Sequence, residues 1–371
     1  MRTLHIVVTV VLALGAGAID APRAHAYPQY QLARDATCTG CHLSPAGGGL
    51  LNENGLGVAE AESWKGTDPT FFYGASLPDW LQMSGDIRGA AGAVGNGSLV
   101  GAAYPMQAEV LASAGARGFT FNATGGLRRP QEDGSPAHVL WSREHYLMWQ
   151  QKPGEVEGIY VRAGRFMPVY GLRLAEHVAY TQRFGGYPLY GETYGAAVEY
   201  ISPRFEAHAT GFIHDPIASA VEHGDGAAGY VEARLGEHAA LGAEGKYASD
   251  DDLTRTYAGI TGKIYIPGAD LLIQAEAELV HQAVVSTNRT YNQLVGYVLA
   301  SRPIAQAWLL DVGGGHYTQD TKVDGNYRDC IDANVHWFVT SHFEALMTMR
   351  LEILGSGPTG GYALAQVHYR L

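Results

Sequence analysis

Residues 343–353 read FEALMTMRLEI, and this stretch decides the fold. Its side chains alternate with a period of two: every second residue from Phe343 is apolar, and Glu344, Arg350 and Glu352 lie between the apolar ones. The same alternation runs through residues 331–340 and 205–214. Successive side chains of a β-strand point to opposite faces of the sheet. Long strands with one charged and one apolar face are typical of a transmembrane barrel, with water inside and lipid outside.

A soluble β-sandwich is the alternative, since its strands alternate as well. Several candidate strands here run beyond ten residues, whereas strands of globular sheets average about 5–6. We therefore predict an all-β fold, a transmembrane antiparallel β-barrel of about sixteen strands. The expected strands start near Trp80, Tyr104, Arg117, Ala137, Val156, Glu192, Arg204, Gly226, His238, Thr254, Ala269, Tyr291, Ile304, Asn326, His342 and Thr359. A barrel of this size has a lumen too wide for its own side chains to fill.

The last residues also alternate, from Ala363 through Val367 and Tyr369 to Leu371. A final strand that ends in a hydrophobic residue, with an aromatic residue two positions before it, resembles the assembly signal of bacterial outer-membrane proteins. Leu371 stands where phenylalanine is commoner. The end of the sequence therefore favours the outer membrane as the location.

The first 26 residues have the pattern of a secretory signal peptide. Arg2 gives a positive start, an apolar stretch follows from Ile6 to Ala18, and Ala24-His25-Ala26 matches a cleavage site. The alternative is a membrane-anchoring helix, for which the apolar stretch is short. We expect export across the inner membrane, with a mature chain that begins near Tyr27.

The charge balance of the chain limits its partners. The sequence has 25 basic and 37 acidic residues, and its formal net charge is −12. Nucleic-acid binding needs a basic surface, so we expect no nucleic-acid partner. An acidic surface suits cations or basic redox partners, although acidic loops can also serve solubility alone.

Residues 38–42 read CTGCH, which is the attachment signature of c-type haem. In this signature, Cys38 and Cys41 bind the haem vinyl groups and His42 ligates the iron from the proximal side. Three alternatives are a thioredoxin-like redox pair, a zinc site and a structural disulfide. The flanking residues do not resemble a βαβ unit, and no further Cys or His lies between Leu43 and Leu81. We therefore predict one covalent haem c; Cys330, far along the chain, we interpret as a lone thiol in a strand.

The segment after the motif is too small to bury a porphyrin alone, and residues 43–76 contain neither Met nor His. We expect one short helix in it, from Val58 to Trp64. The haem must therefore obtain cover and a sixth ligand from the rest of the chain, or remain five-coordinate. The candidate distal ligands are Met83, Met106, Met167 and His177.

Residues 165–190 interrupt the strand pattern and are too long for a short turn. A long connection of this kind often folds into the lumen or caps it. Here Arg173 and Arg183 are candidates to bind the haem propionates, because arginine pairs well with carboxylates. The alternative is an extracellular loop without such a contact.

The sequence as a whole resembles the fused monohaem cytochrome c–porins of the bacterial outer membrane. The features that carry the resemblance are the signal sequence, the CTGCH motif at residues 38–42, the glycine- and asparagine-containing segment after it and the barrel pattern. The resemblance implies three parts: a signal peptide at 1–26, a haem segment at 27–78 that plugs the lumen, and a barrel at 79–371.

Known members of that family include iron(II) oxidases. The resemblance therefore implies electron transfer across the outer membrane, with extracellular Fe(II) as one possible donor and a periplasmic electron-carrier cytochrome as partner. Whether the chain is an iron(II):cytochrome oxidoreductase stays open. Two other functions also remain: a solute porin with a structural haem or disulfide at its N-terminus, and the barrel sheath of a multi-cytochrome conduit.

Overall fold

The computed structural model describes residues 30–33, 37–95, 99–127, 141–175, 178–215 and 224–371. The predicted signal peptide lies outside the described residues. The chain forms sixteen strands: β1 Leu81–Gly95, β2 Leu99–Ala116, β3 Phe119–Leu127, β4 Trp141–Gln150, β5 Gly158–Phe166, β6 Thr193–Ile201, β7 Phe205–Ile213, β8 Asp225–Arg234, β9 Ala239–Ser249, β10 Leu253–Ile266, β11 Leu271–Val284, β12 Arg289–Ala305, β13 Trp308–Thr318, β14 Tyr327–Thr340, β15 Phe343–Leu354 and β16 Gly360–Arg370. Each strand pairs antiparallel with its neighbour in sequence, and β1 pairs with β16, so the barrel is closed.

The predicted barrel of about sixteen strands is confirmed. The largest error in a strand start is five residues, at β2, which begins at Leu99 and not at Tyr104. Hydrogen-bonded pairs run between all neighbouring strands, so no open sheet edge faces the lipid.

The two faces of the barrel differ as the alternation predicts. Large apolar side chains cover the outside: Ile260 is 66% exposed, Leu279 62% and Val198 58%. The inward face carries buried ion pairs, among them Arg162 with Glu199 at 2.7 Å and Lys263 with Glu232 at 2.6 Å. An apolar exterior around a charged interior is the arrangement that a lipid bilayer requires.

The two ends of the barrel have connections of different length. At the end where β1 begins and β16 finishes, the strands are joined by short turns, such as residues 117–118, 306–307 and 341–342. We call this the short-turn end. The other end has longer connections, the longest of which among the described residues spans 167–192. In bacterial barrels, short turns face the periplasm and long loops the outside.

Among the described residues, two α-helices lie apart from the sheet, α1 (Glu53–Glu62) and α2 (Tyr180–Arg183). No helix in the described ranges is long and apolar enough to cross a membrane. The predicted helix at Val58–Trp64 is wrong in its bounds. The Asn52 side chain accepts a hydrogen bond from the Gly55 amide at 2.9 Å and so starts the helix earlier. At the other end, the Trp64 amide donates to the Phe338 carbonyl of β14, which draws the chain onto the barrel.

Candidate cofactor site

The CTGCH motif forms a tight turn that neighbouring asparagines hold in place. Cys38–Gly40 is one turn of 3₁₀ helix, and the His42 amide donates to the Cys38 carbonyl at 2.9 Å. The Asn52 and Asn54 side-chain amides donate to the carbonyls of Thr39 and Gly40, both at 2.8 Å. The two asparagines thereby give hydrogen-bond partners to backbone carbonyls that would otherwise be buried without one.

The start of α1 packs directly against this turn. The Asn52 amide donates to the Cys41 carbonyl at 3.0 Å, and a methyl group at Gly55 would overlap the oxygen of that same carbonyl. The close approach therefore requires glycine at position 55. Turn and helix form one unit that fixes the direction of the two thiols.

The N-terminal segment lies inside the barrel at the short-turn end. Tyr30 packs against Leu309 and Phe338, which are lumenal residues near that end. Leu32 packs against Tyr265 and Leu272 on the β10 and β11 side. Both contacts lie on the same side of the barrel, on the inward face of the wall formed by β10–β14, and they place the described residues of this segment within the lumen.

The connection at residues 167–192, which we call the lumen loop, fills a further part of the interior with its described residues, 167–175 and 178–192. The predicted irregular stretch began at Arg165, but Arg165 and Phe166 belong to β5. Val169 and Tyr180 are completely buried, and Tyr170 is 1% exposed. The connection is therefore an inward-folded element and not an exposed extracellular loop.

A cavity of about 630 Å³ lies between the N-terminal segment, the lumen loop and the β1–β4 wall. Cys38, Cys41 and His42 all line it. Of the distal-ligand candidates, Met83 and Met167 line the same cavity, and Met106 does not. His177 lies outside the described residues.

The two predicted propionate partners are in different places. Arg173 lines the cavity, donates to the Pro45 carbonyl at 3.0 Å and pairs with Glu206 at 2.9 Å. Arg183 is not among the cavity-lining residues; it lies 3.4 Å from Glu352, near α2. The lumen loop thus offers one arginine to the cavity, and that arginine already has an acidic partner.

Besides Arg173, three arginines that the sequence analysis did not single out line the cavity: Arg88, Arg143 and Arg370, the last of which lies at the end of β16. Arg88 is on β1, and its buried Nε has no hydrogen-bond partner among the described residues. Arg143 is on β4 and pairs with Glu192 at 2.5 Å. Arg88 and Arg143 occupy ordinary inward positions of regular strands, so no local signal distinguishes them from other lumenal arginines.

The thiols of the motif are buried, and no disulfide joins Cys38 and Cys41. Burial raises the pKa of the Cys38 thiol, and the nearby Arg173 opposes this shift. Cys330 is buried on β14, as its interpretation as a lone strand thiol expects.

The cavity therefore combines two adjacent thiols, an imidazole, a thioether and several arginines. The thiols and the imidazole come from one turn and the thioether of Met167 from the lumen loop, whereas the register of β1 gives Met83 the outward parity of Ile87. Such a set can bind a large planar group covalently, ligate its metal and pair with its carboxylates.

Comparison with known proteins bears on the barrel. No protein-family model matches this sequence, and no curated protein matches it by sequence. Among solved structures, the outer-membrane expressed OmpT of Vibrio cholerae is similar, with a TM-score of 0.60 at 13% identity over 80% of this chain and 99% of that one. An anion-selective porin from Comamonas acidovorans gives 0.58 at 12% identity over 78% and 99%. The outer-membrane channel DcaP of Acinetobacter baumannii gives 0.53 at 11% identity over 78% and 97%.

At these identities, the likeness concerns the fold. Together with the apolar exterior, it confirms the prediction of a bacterial outer-membrane location. The chain has the fold of the bacterial outer-membrane porins.

Proposed function

We propose that this barrel carries one haem c in its lumen and serves electron transfer across the outer membrane. Cys38 and Cys41 would bind the haem covalently, and His42 would be the proximal iron ligand. The observation that supports this best is that all three side chains line one lumenal cavity. A motif of this type on an exposed tail would offer no cover to a porphyrin.

The cavity passes three tests of fit. Its volume of about 630 Å³ is within the roughly 300–1,000 Å³ that small-molecule and cofactor sites have. The thioether of Met167, which is 7% exposed and lines the cavity, is the candidate sixth ligand. Met83 is less suitable, because the strand register gives its side chain the outward parity of Ile87. The buried Arg88 Nε has no partner among the described residues, so this arginine suits a propionate. We propose Arg88 ahead of Arg173, which is already paired with Glu206.

When bound, haem supplies a one-electron couple whose potential depends on axial ligation and burial. The lumen loop and the N-terminal segment would exclude water from it. The cavity reaches the short-turn end, where Ser341 and Leu371 line it. A periplasmic electron-carrier cytochrome would dock at that end, which in bacterial barrels faces the periplasm.

The donor that we propose on the outer side is extracellular Fe(II). The β9–β10 connection carries Asp250, Asp251 and Asp252 at the long-loop end of the barrel. A cluster of acidic loop residues raises the local concentration of cations. Electron transfer of this kind needs close approach and no tight iron site.

The test is the optical spectrum of protein purified from outer membranes of a cytochrome-maturing host. We expect haem that remains bound under denaturing electrophoresis and shows reduced c-type bands with dithionite. Reduced bands after Fe²⁺ addition would support iron as donor, whereas bands with dithionite alone would remove iron and keep the cytochrome. Cys38→Ala with Cys41→Ala should abolish covalent haem, and Cys330→Ala is the matched control. Absence of haem from the native protein would refute the proposal.

A solute porin is the second candidate, because several of the similar solved structures are porins or channels. The filled lumen weighs against free diffusion, since both the lumen loop and the N-terminal segment lie in it. Large ion conductance in planar bilayers, without a redox response, would favour the porin. A barrel that sheathes separate multihaem cytochromes is disfavoured for the same reason, and co-purification of another cytochrome would revive it.

A further inference from the structure

Three buried glutamates meet on the lumen wall formed by β9–β11, away from the β1–β4 wall of the cofactor cavity. Glu244, Glu276 and Glu278 are 8%, 4% and 1% exposed. One carboxylate oxygen from each lies within 4.8 Å of the other two. Charged groups so close and so deeply buried need a compensating charge.

The strand register and three glycines create this meeting point. Glu244 and Glu278 both pair with Gly259 of the intervening β10, so the two carboxylates meet over a residue without a side chain. A methyl group at Gly259 would overlap Glu244, and one at Gly185 would overlap Glu278. At Gly171, it would lie 2.6 Å from Glu276 Oε1 and 3.0 Å from Glu244 Oε2. The surrounding backbone leaves just enough space for the carboxylates.

Hydrogen bonds satisfy only part of the cluster. The amide of Leu172 donates to Glu276 Oε2 at 2.8 Å, and the amide of Gly186 donates to Glu278 Oε2 at 3.0 Å. Neither oxygen of Glu244 receives a hydrogen bond from the described residues, nor does Glu276 Oε1. The Glu244 carboxylate is therefore more than nine-tenths buried, lacks hydrogen-bond donors among the described residues and points toward Glu276 and Glu278.

The hydroxyl of Tyr170 borders the same cluster from the lumen loop. Burial and the negative charges of Glu278 and Glu244 raise the pKa of this phenol strongly. Lys246 supplies one cation near the cluster, and its Nζ donates to the Gly186 carbonyl at 3.1 Å. Three ionised carboxylates at this site would carry excess negative charge, which a divalent cation would offset.

We propose that Glu244, Glu276 and Glu278 bind one divalent cation of the hard, oxygen-preferring class, such as Ca²⁺, Mg²⁺ or Mn²⁺. Carboxylate-only sites suit these ions better than zinc or copper. The cation clamps the lumen loop to the wall, because two of its ligands also hold the Leu172 and Gly186 amides. This site is independent of the haem.

The experiment is a titration of chelator-treated, detergent-purified protein with Mn²⁺, followed by loss of the free-ion signal in electron paramagnetic resonance. We expect one high-affinity site per chain. Glu244→Gln should weaken Mn²⁺ binding by about tenfold or more, because a negative ligand is lost. Glu232→Gln is the matched control: Glu232 is equally lumenal and 1% exposed but pairs with Lys263, and its loss should leave Mn²⁺ affinity unchanged.

Heat-modifiable gel migration shows whether each variant folds. A second measurement needs no variant: Mn²⁺ should slow hydrogen exchange at the Leu172 and Gly186 amides of the native chain. The proposal is overturned if the native protein binds no Mn²⁺ at millimolar concentration. Equal affinity of Glu244→Gln and native protein, or unchanged exchange at both amides, would also overturn it and indicate that the glutamates hold protons.

Discussion

Replacing Gly55 by alanine tests whether α1 fixes the Cys38–His42 turn. A methyl group at this position would lie 3.0 Å from the Cys41 carbonyl carbon and overlap its oxygen. Gly57 is the matched control, because it is exposed on the same helix and a methyl group there meets nothing within 4 Å.

The magnitude follows from the difference between the two sites. Both substitutions gain helix propensity, at most about 0.5–1 kcal/mol relative to glycine. Only Gly55→Ala carries the overlap with the Cys41 carbonyl, and overpacking of this kind costs about 1–3 kcal/mol. The contrast between the variants is therefore roughly 1–3 kcal/mol, or about 5–150-fold in the opening equilibrium of α1.

Native-state hydrogen exchange of the α1 amides measures that opening. We expect lower protection in Gly55→Ala and equal or higher protection in Gly57→Ala. If haem is attached as proposed, Gly55→Ala should also lower the yield of covalent haem per chain, while Gly57→Ala should not. Equal protection of α1 in the two variants would show that the Gly55 contact does not hold the turn.

Two further predictions concern the barrel wall and the motif. Ile260 is 66% exposed on the outward face near the middle of β10, and Ile260→Arg should destabilise the barrel in lipid vesicles by about 2–4 kcal/mol. Ile266→Arg, at the end of the same strand, should cost about 0–1 kcal/mol. Equal costs of the two variants in denaturant titrations would contradict the lipid-facing assignment. In haem-free protein with Cys41→Ser and Cys330→Ser, maleimide should label Cys38 more slowly than in the unfolded chain, with a rate that keeps rising above pH 8.5, because burial raises the pKa of this thiol and only the thiolate reacts. A rate equal to that of the unfolded chain would contradict this.

Most of the wall could be predicted because its signal is local. A barrel strand faces lipid on one side and water on the other, so each strand carries its own period of two, as residues 343–353 do. Errors in the predicted strand bounds occurred where tertiary contacts shift the end of a strand. The predicted start of β8 at Gly226 is one residue late, because the Asp225 side chain accepts from the His214 amide at 2.8 Å and Gly226 already pairs with Phe212 on β7.

The candidate site was predictable in part. The CTGCH motif predicts Cys38, Cys41 and His42 as one haem site because its defining residues are consecutive, and all three line one cavity. The arginines were not predictable to the same degree: Arg173 lines the cavity, Arg183 does not, and Arg88 on a regular strand does. Inward arginines of a barrel cannot be told apart in the sequence. The strand period predicts which face of the sheet a side chain lies on, but it does not predict which other side chains it contacts.

The sequence by itself determined the closed barrel and its approximate number of strands, because lipid and water impose a period of two within each strand. It also predicts a haem site at Cys38, Cys41 and His42, because the attachment signature is five consecutive residues long. Only the tertiary structure decided what the lumen contains. The cavity that Cys38, Cys41 and His42 line is formed by a turn near residue 40, β1 and the lumen loop. The cluster of Glu244, Glu276 and Glu278 depends on the register of three strands across Gly259. Contacts between groups that are distant in sequence arise from closure and register, which no single stretch of residues encodes.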